Sequence, residues 1–214
     1  MRVVVAGGHG QIALLLERLL AERGDQVVGV VRNPDHVADV EATGAEAAVL
    51  DLEHTDVAAL TDVVKGADAV VFAAGGGPNS GAARKETVDK GAAVLLADAA
   101  EQAGVRRYVM VSAMGTENAD PHSDEVFQVY LRAKQAADDD LRSRDLDWTV
   151  VRPGRLTDDP PGGRVQVGTL PRGEVPRADV AAVLAAVLTN DGTVRRTFDL
   201  LAGHQTIEAA LSDL

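Results

Sequence analysis

Val3-Val4-Val5-Ala6-Gly7-Gly8-His9-Gly10-Gln11-Ile12-Ala13 is the stretch that decides how this chain folds. Val3 to Ala6 is a short apolar run that breaks off into glycines. Beyond them Ile12, Leu15, Leu16, Leu19 and Leu20 recur at i, i+3, i+4, i+7 and i+8, which predicts one apolar face of a helix. A strand therefore leads through a glycine turn into an amphipathic helix, which Gly24 closes. Glycine tolerates positive φ in such a turn, and without a Cβ the backbone N–H groups can approach a pyrophosphate at the helix N-terminus. Ala13 takes the part of a third glycine, keeping helix and strand close. The expected dinucleotide contacts are Gly7, Gly10, Gln11 and Ile12. A tight turn without ligand is the alternative, but the position of the motif inside a βαβ unit favours the dinucleotide.

The same alternation continues outward. Strands are expected at Gln26 to Val31, Ala47 to Leu50, Ala69 to Ala73, Tyr108 to Ser112 and Trp148 to Arg152, with shorter ones near 164–168 and 196–201. Helices are expected after Pro34 and over 55–65, 82–103, 124–143 and 177–189, with a terminal helix from Ile207 to Leu211. The fourth strand runs into Ala74-Gly75-Gly76-Gly77-Pro78. Continuous apolar strands are buried on both faces, and helical crossovers between them are right-handed. The fold class is therefore α/β: a single doubly wound Rossmann-type parallel sheet flanked by helices, over residues 1–214. Residues 153–175 read as a substrate-side loop region in a small C-terminal segment.

Composition narrows the function. With 46% hydrophobic and 25% charged residues among 214, the chain is globular in character. Aromatics make up 3%, so the core must be aliphatic. A net charge of −12 repels phosphate polymers and anionic membranes, which excludes a general nucleic-acid or membrane surface but leaves room for one local anion pocket. There is no cysteine, which excludes disulfides and thiolate chemistry. No segment approaches a membrane span and no signal peptide is visible, so the expected location is cytoplasmic. The five histidines are scattered without metal spacing, read as surface or loop residues, and no metal is expected. Asp138-Asp139-Asp140 reads as a solvated helix face.

The second strand ends Val30-Val31-Arg32-Asn33, with no acid to accept from a ribose 2′-hydroxyl. Arg32 could pair its planar guanidinium with a 2′-phosphate, which favours NADP while leaving NAD open; an exposed surface arginine is the alternative. Asp51-Leu52 follows the third strand, where Asp51 either accepts from the adenine amino group or simply leads the next helix. Ala73, Ala74 and Gly75 supply small side chains where a cofactor sugar would lie.

Gly7-x-x-Gly10-x-x-Ala13, Ala73-Ala74-Gly75, Val88-Asp89-Lys90-Gly91, Val111-Ser112-Ala113, Tyr130-x-x-x-Lys134 and Val151-Arg152-Pro153-Gly154 occur in this order. Together they resemble an atypical short-chain dehydrogenase/reductase, in the group with NmrA-like and biliverdin/flavin reductase-like members. The resemblance implies Ser112, Tyr130 and Lys134 as catalytic residues, Lys134 also holding the nicotinamide ribose, and Pro153 and Gly154 bordering the nicotinamide. Asp89 stands where the family commonly has Asn. Independently of the family, Tyr130 and Lys134 are four apart and share a helix face. An ammonium near a phenol lowers its pKa from about 10 towards useful proton transfer, and Ser112 could donate to the same substrate oxygen.

The leading expectation is an NADP-dependent oxidoreductase passing hydride to a small carbonyl, quinone or flavin-like acceptor. A non-enzymatic NAD(P)-binding redox sensor is the runner-up, and a nucleotide-sugar epimerase or dehydratase ranks last. The expected partner is a small-molecule substrate. A homodimer is open, since the fourth and fifth long helices are free to pair between subunits.

Overall fold

The computed structural model spans residues 1–214 and describes all of them except 78 and 79. Pro78, at the end of the loop after the fourth strand, lies outside the described residues. Strands β1 (Arg2–Ala6), β2 (Gln26–Val31), β3 (Glu46–Val49), β4 (Ala69–Phe72), β5 (Arg107–Val111), β6 (Asp147–Pro153) and β10 (Arg196–Ala202) pair in parallel. The order is β3-β2-β1-β4-β5-β6-β10, and β8 (Arg164–Gly168) and β11 (Gln205–Thr206) extend it antiparallel past β10. The chain reverses direction across the sheet between β1 and β4, which opens a crevice at their carboxyl ends.

Val3, Val4 and Val5 are fully buried, each contributing on the order of 1.5–3 kcal/mol of burial. Val3 and Val5 face α1 (Gln11–Glu22), α7 (Arg177–Val187) and α8 (Ile207–Ser212). Val4 and Ala6 face α3 (Val57–Val64), α5 (Ala93–Ala103) and α6 (Val126–Ser143). The face that α5 buries is mostly alanine: Ala93, Ala97, Ala99 and Ala100 beside Leu96. Small side chains replace aromatic bulk by letting the helix lie close. Gly104 ends this helix at φ +72, a left-handed cap suited to glycine. No helix among the described residues is long and apolar enough to cross a membrane.

Three expectations need correction. The helix over 82–103 is not uniform: α4 (Ala82–Arg84) passes into a π-helical stretch, Lys85–Ala92, before α5. Lys85, Val88, Asp89 and Ala92 of this stretch are buried, and such π segments concentrate at functional sites. The stretch 153–175 is also more ordered than a loop. It contains β7 (Arg155–Thr157), β8 and most of β9 (Glu174–Pro176), with β7 and β9 forming a separate two-stranded parallel ribbon. Finally, the buried face of α1 is rotated from the leucine stripe. Ala13, Leu16, Glu17 and Leu20 are buried, whereas Leu19 is 38% exposed.

Glu17 is the cost of that rotation. Its exposure is 0%, and neither carboxyl oxygen has a partner at ordinary hydrogen-bond geometry among the described residues. The head lies between the glycine turn and β2: a Cβ on Gly8 would stand 2.9 Å from its Oε1, and one on Gly29 only 2.5 Å. Glycine at both positions makes the space. Burial pushes the carboxyl up to about 8, against a small opposing pull from the Thr43 hydroxyl. That hydroxyl already donates to the Val40 carbonyl at 2.6 Å, so a neutral Glu17 must supply any proton shared between them. An acid whose folded pKa is raised contributes fully below its unfolded value and loses that contribution as pH climbs towards the folded value. Glu17→Gln is therefore expected to raise Tm by a few degrees (roughly 2–6 °C) at pH 8 and by much less at pH 5. Thermal melts of both proteins across that window check it; an equal shift at both pH values refutes a neutral buried Glu17.

Candidate active site

The first helix begins at Gly10, which has extended φ, ψ of −66° and 146°, and no side chain caps it. Its first turn holds no acid. An uncapped first turn leaves amides without intrahelical acceptors at the positive end of the dipole, and these belong to Gln11, Ile12 and Ala13. The Gly7 amide is tied back to the Val30 carbonyl at 3.2 Å, and the Gly10 amide to the Gly7 carbonyl at 2.8 Å. Gly7 has φ +87, and a Cβ there would lie 2.6 Å from Ala74 Cα. The glycine is thus demanded twice, by its dihedral and by the approach of the β4 turn.

A cleft of about 260 Å³ runs from this turn across the ends of β1 to β4. Gly7, Gly10, Arg32, Asp51, Leu52, Ala73, Ala74 and Gly75 line it, all expected from the sequence. His9, His36, Glu53, Arg84 and Val88 line it too. The His9 and His36 rings stack at 3.6 Å between centroids, and His9 Nε2 lies 2.8 Å from Asp39 Oδ2. Asp51 accepts from the Glu53 amide at 3.0 Å and pairs with His54 at 2.9 Å. Burial would raise its pKa, but these contacts, with Arg32 nearby, hold it below the usual carboxylate value. These residues fit a dinucleotide: an open cradle of amides at one end, an aliphatic and glycine wall in the middle, and cations at the far lip. Gln11 and Ile12 offer the cradle only their backbone, since the Gln11 side chain is exposed.

Beyond Ala74 lies a second cluster of polar side chains, on α6 and the π-helical stretch. Tyr130, Lys134 and Asp138 fall at i, i+4 and i+8 on α6, one stripe against the sheet. Lys134 is buried, and its Nζ donates to the Val111 carbonyl at 3.1 Å and the Ala74 carbonyl at 3.4 Å, with Asp89 Oδ1 at 3.5 Å. Asp89 in turn accepts from the Gly76 amide at 3.0 Å. Asp89 thus joins the β4 turn to Lys134. Lys85, also buried, donates to the Gly77 carbonyl at 2.6 Å and lies 5.3 Å from the Tyr130 ring centre. Arg152 closes the far side, giving Nε and Nη2 to Asp138 Oδ2 at 3.0 and 2.8 Å, and Nη1 to Glu117 at 3.1 Å.

The sequence profile of the NAD(P)H-binding family matches residues 7–191. The chain belongs to that NAD(P)H-binding family. An uncharacterized sugar epimerase, YhfK, of Bacillus subtilis is 36% identical over 218 residues, covering all of both chains. A solved Bacillus halodurans protein that bears the name of an NAD-dependent epimerase/dehydratase is 34% identical, with complete mutual coverage and a TM-score of 0.92. The anaerobilin reductase ChuY of Escherichia coli O157:H7, at 22% identity and a TM-score of 0.80 over 96% of this chain, shares the fold.

Within this NAD(P)H-binding frame several side chains behave differently from their sequence-based reading. Burial pushes the Tyr130 phenol up, and the Asp89 and Asp138 carboxylates push it further. The lowering expected from Lys134 is not found: burial and the two acids set the phenol's direction. Lys134 itself is pulled down by burial, with Asp89 and Asp138 resisting. Ser112 is buried, its hydroxyl has no hydrogen-bond partner among the described residues, and it lies near enough to Asp138 to lower that acid. Asp138 is not on a solvated face: its side chain is 0% exposed, and burial raises it while Arg152 pulls it back. The i, i+4, i+8 spacing from Tyr130 was the available signal. Pro153 and Gly154 sit at the end of β6 but do not line the dinucleotide cleft. Gly154 is required by packing, with Gly173 and Leu201 occupying the place of a Cβ.

Breaking one member of a buried ion pair leaves the other charge uncompensated, at a cost of about 3–5 kcal/mol. Asp138→Ala and Arg152→Met should each lose about that much in denaturant titrations, whereas the double variant Asp138→Leu/Arg152→Met should recover most of it. Additive losses in the double variant would show that the two side chains are not coupled.

Proposed function

We propose that this chain is an NADP-dependent reductase of a small, planar carbonyl, quinone or flavin-like acceptor. The observation that carries the reading is the reach of Lys134: its Nζ bonds the carbonyl of Ala74, a wall of the dinucleotide cleft, while Tyr130 stands one helical turn away on the same stripe. The bound dinucleotide supplies hydride. The chain's own residues supply the rest. The raised Tyr130 phenol stays protonated at neutral pH, the form needed to give a proton to an acceptor oxygen. Lys134 holds the β4 turn and the end of β5 in register with the phenol. Phe127, 61% exposed in a chain with few aromatics, lies 6.1 Å from the Tyr130 ring and offers a face on which a planar acceptor can stack. Arg32 at the adenosine lip favours the 2′-phosphate.

A redox sensor is the second reading, favoured by the same raised phenol and by the buried, unpartnered hydroxyl of Ser112 among the described residues. The epimerase names of the relatives add a third, which needs a sugar nucleotide and a cofactor retained through turnover. A panel of quinones, flavins, aldehydes and nucleotide sugars separates the three. Steady NADPH oxidation with an acceptor supports the reductase; tight binding without turnover on any acceptor supports the sensor. Tyr130→Phe is expected to lower kcat by about 10²–10⁴-fold while NADPH affinity stays within about twofold; full activity in that variant removes Tyr130 from the chemistry. Arg32→Ala is expected to reduce the preference for NADPH over NADH by about tenfold, read as the ratio of the two Kd values.

A further inference from the structure

The far lip of the cleft is built from three elements that meet at one carboxylate. Glu53, in the connection after β3, has its side chain 13% exposed. Its Oε2 accepts from Arg32 Nη1 at 3.0 Å and from Arg84 Nη2 at 2.9 Å. Oε1 accepts from the Thr87 hydroxyl at 2.7 Å. Arg32 comes from the end of β2 and Arg84 from α4, so two guanidiniums distant in sequence point at a single oxygen. Burial tends to raise Glu53, but Thr87, Arg84 and Arg32 together hold it below the usual carboxylate value. Arg84 Nε is buried without a hydrogen-bond partner among the described residues. Arg84 itself lines the cleft, and its Nη2 is the atom that meets Glu53 there.

Two guanidiniums converge on one carboxylate oxygen, with the Asp51 carboxylate also near Arg32, in a chain whose net charge is −12. Guanidiniums present planar forks that match carboxylate and phosphate alike, and a phosphate monoester offers more charge and more acceptor oxygens than a carboxylate. We propose that Arg84 is the second guanidinium of a 2′-phosphate subsite and that Glu53 is the internal anion holding Arg32 and Arg84 together until a phosphate displaces it. This rests on the reading of the cleft as an NADP site. In it Glu53 sets selectivity by competition: it pre-positions the two cations, and it subtracts from NADPH affinity the free energy of the pairs that must be broken. Thr87 stays available to hold the displaced carboxylate through Oε1.

The test measures Kd for NADPH and NADH separately, by calorimetry, in the wild type, Glu53→Gln, Arg84→Gln and Arg32→Ala. Glu53→Gln keeps the shape and the Thr87 contact while removing the competing charge, and should tighten NADPH by about tenfold with a much smaller change for NADH. Arg84→Gln alters a side chain that is 39% exposed, so folding is not at stake, and it should weaken NADPH by about tenfold. Unchanged or weaker NADPH binding in Glu53→Gln overturns the competition. A change in preference that comes wholly from lost NADH affinity also overturns it, by making Glu53 an acceptor for the ribose hydroxyl. If Arg32→Ala moves the NADPH preference while the other two variants do not, the NADP reading survives and this inference falls. Binding of neither nucleotide by the wild type removes both.

Discussion

The contact between Gly7 and Ala74 is the constraint on which the other features depend. It presses the end of β1 against the end of β4 so closely that no side chain fits between them. Three consequences follow. The chain turns at Gly7 with positive φ, the first helix starts uncapped with its amides free, and the β4 turn becomes a wall of the same cleft. The carbonyl of Ala74 then faces outward to Lys134. A single close approach of two backbones thus joins the anion cradle to the polar cluster on α6, and the distance between the two is set by the parallel sheet, not by any loop.

Buried ionisable groups collect along this edge. Glu17 lies under the glycine turn, Asp89, Lys85 and Lys134 surround the β4 loop, and Asp138 with Arg152 closes the β6 end. Replacing such groups by apolar ones often stabilises a fold, so burial alone is poor evidence that they hold it together. Their concentration at the carboxyl ends of the strands, where burial shifts Lys134 down and Asp138 up, is what a functional site brings together. Glu17 differs from the others: among the described residues it has no charged partner, and its head fills the space that Gly8 and Gly29 leave.

How much of this was legible in the sequence depends on how local each signal is. The parallel sheet followed from apolar runs and the glycines that end them, since strands buried on both faces need no tertiary information to be recognised. The eight cleft residues on the β1 to β4 connections were legible for the same reason: topology places every strand end at one edge. Arg84 and Glu53 were not, because neither belongs to a motif and only the folded sheet brings them to Arg32. Glu17 was hidden by the leucine stripe, whose angle about the helix differs from the buried face by less than one residue step. The π turn at Lys85–Ala92 was hidden because a 3.6-residue period was assumed throughout; Gly91, whose Cβ would stand 3.3 Å from the Glu86 carbonyl, tolerates the wider winding.

The raised phenol of Tyr130 bears on the direction of any reaction at this edge. A tyrosine that must take a proton from an alcohol needs its phenolate at working pH, and desolvation with two nearby carboxylates opposes that form. A tyrosine that gives a proton needs only to be neutral, and its reluctance to ionise weakens it as an acid until negative charge develops on the acceptor oxygen. Lys134 cannot relieve this while Asp89 and two carbonyls occupy it. An uncharged side chain at position 89 would leave that ammonium's field uncompensated, whereas Asp89, 3.5 Å away, cancels part of it. In the proposed reductase, Asp89 therefore favours the neutral, proton-giving form of Tyr130 over its phenolate.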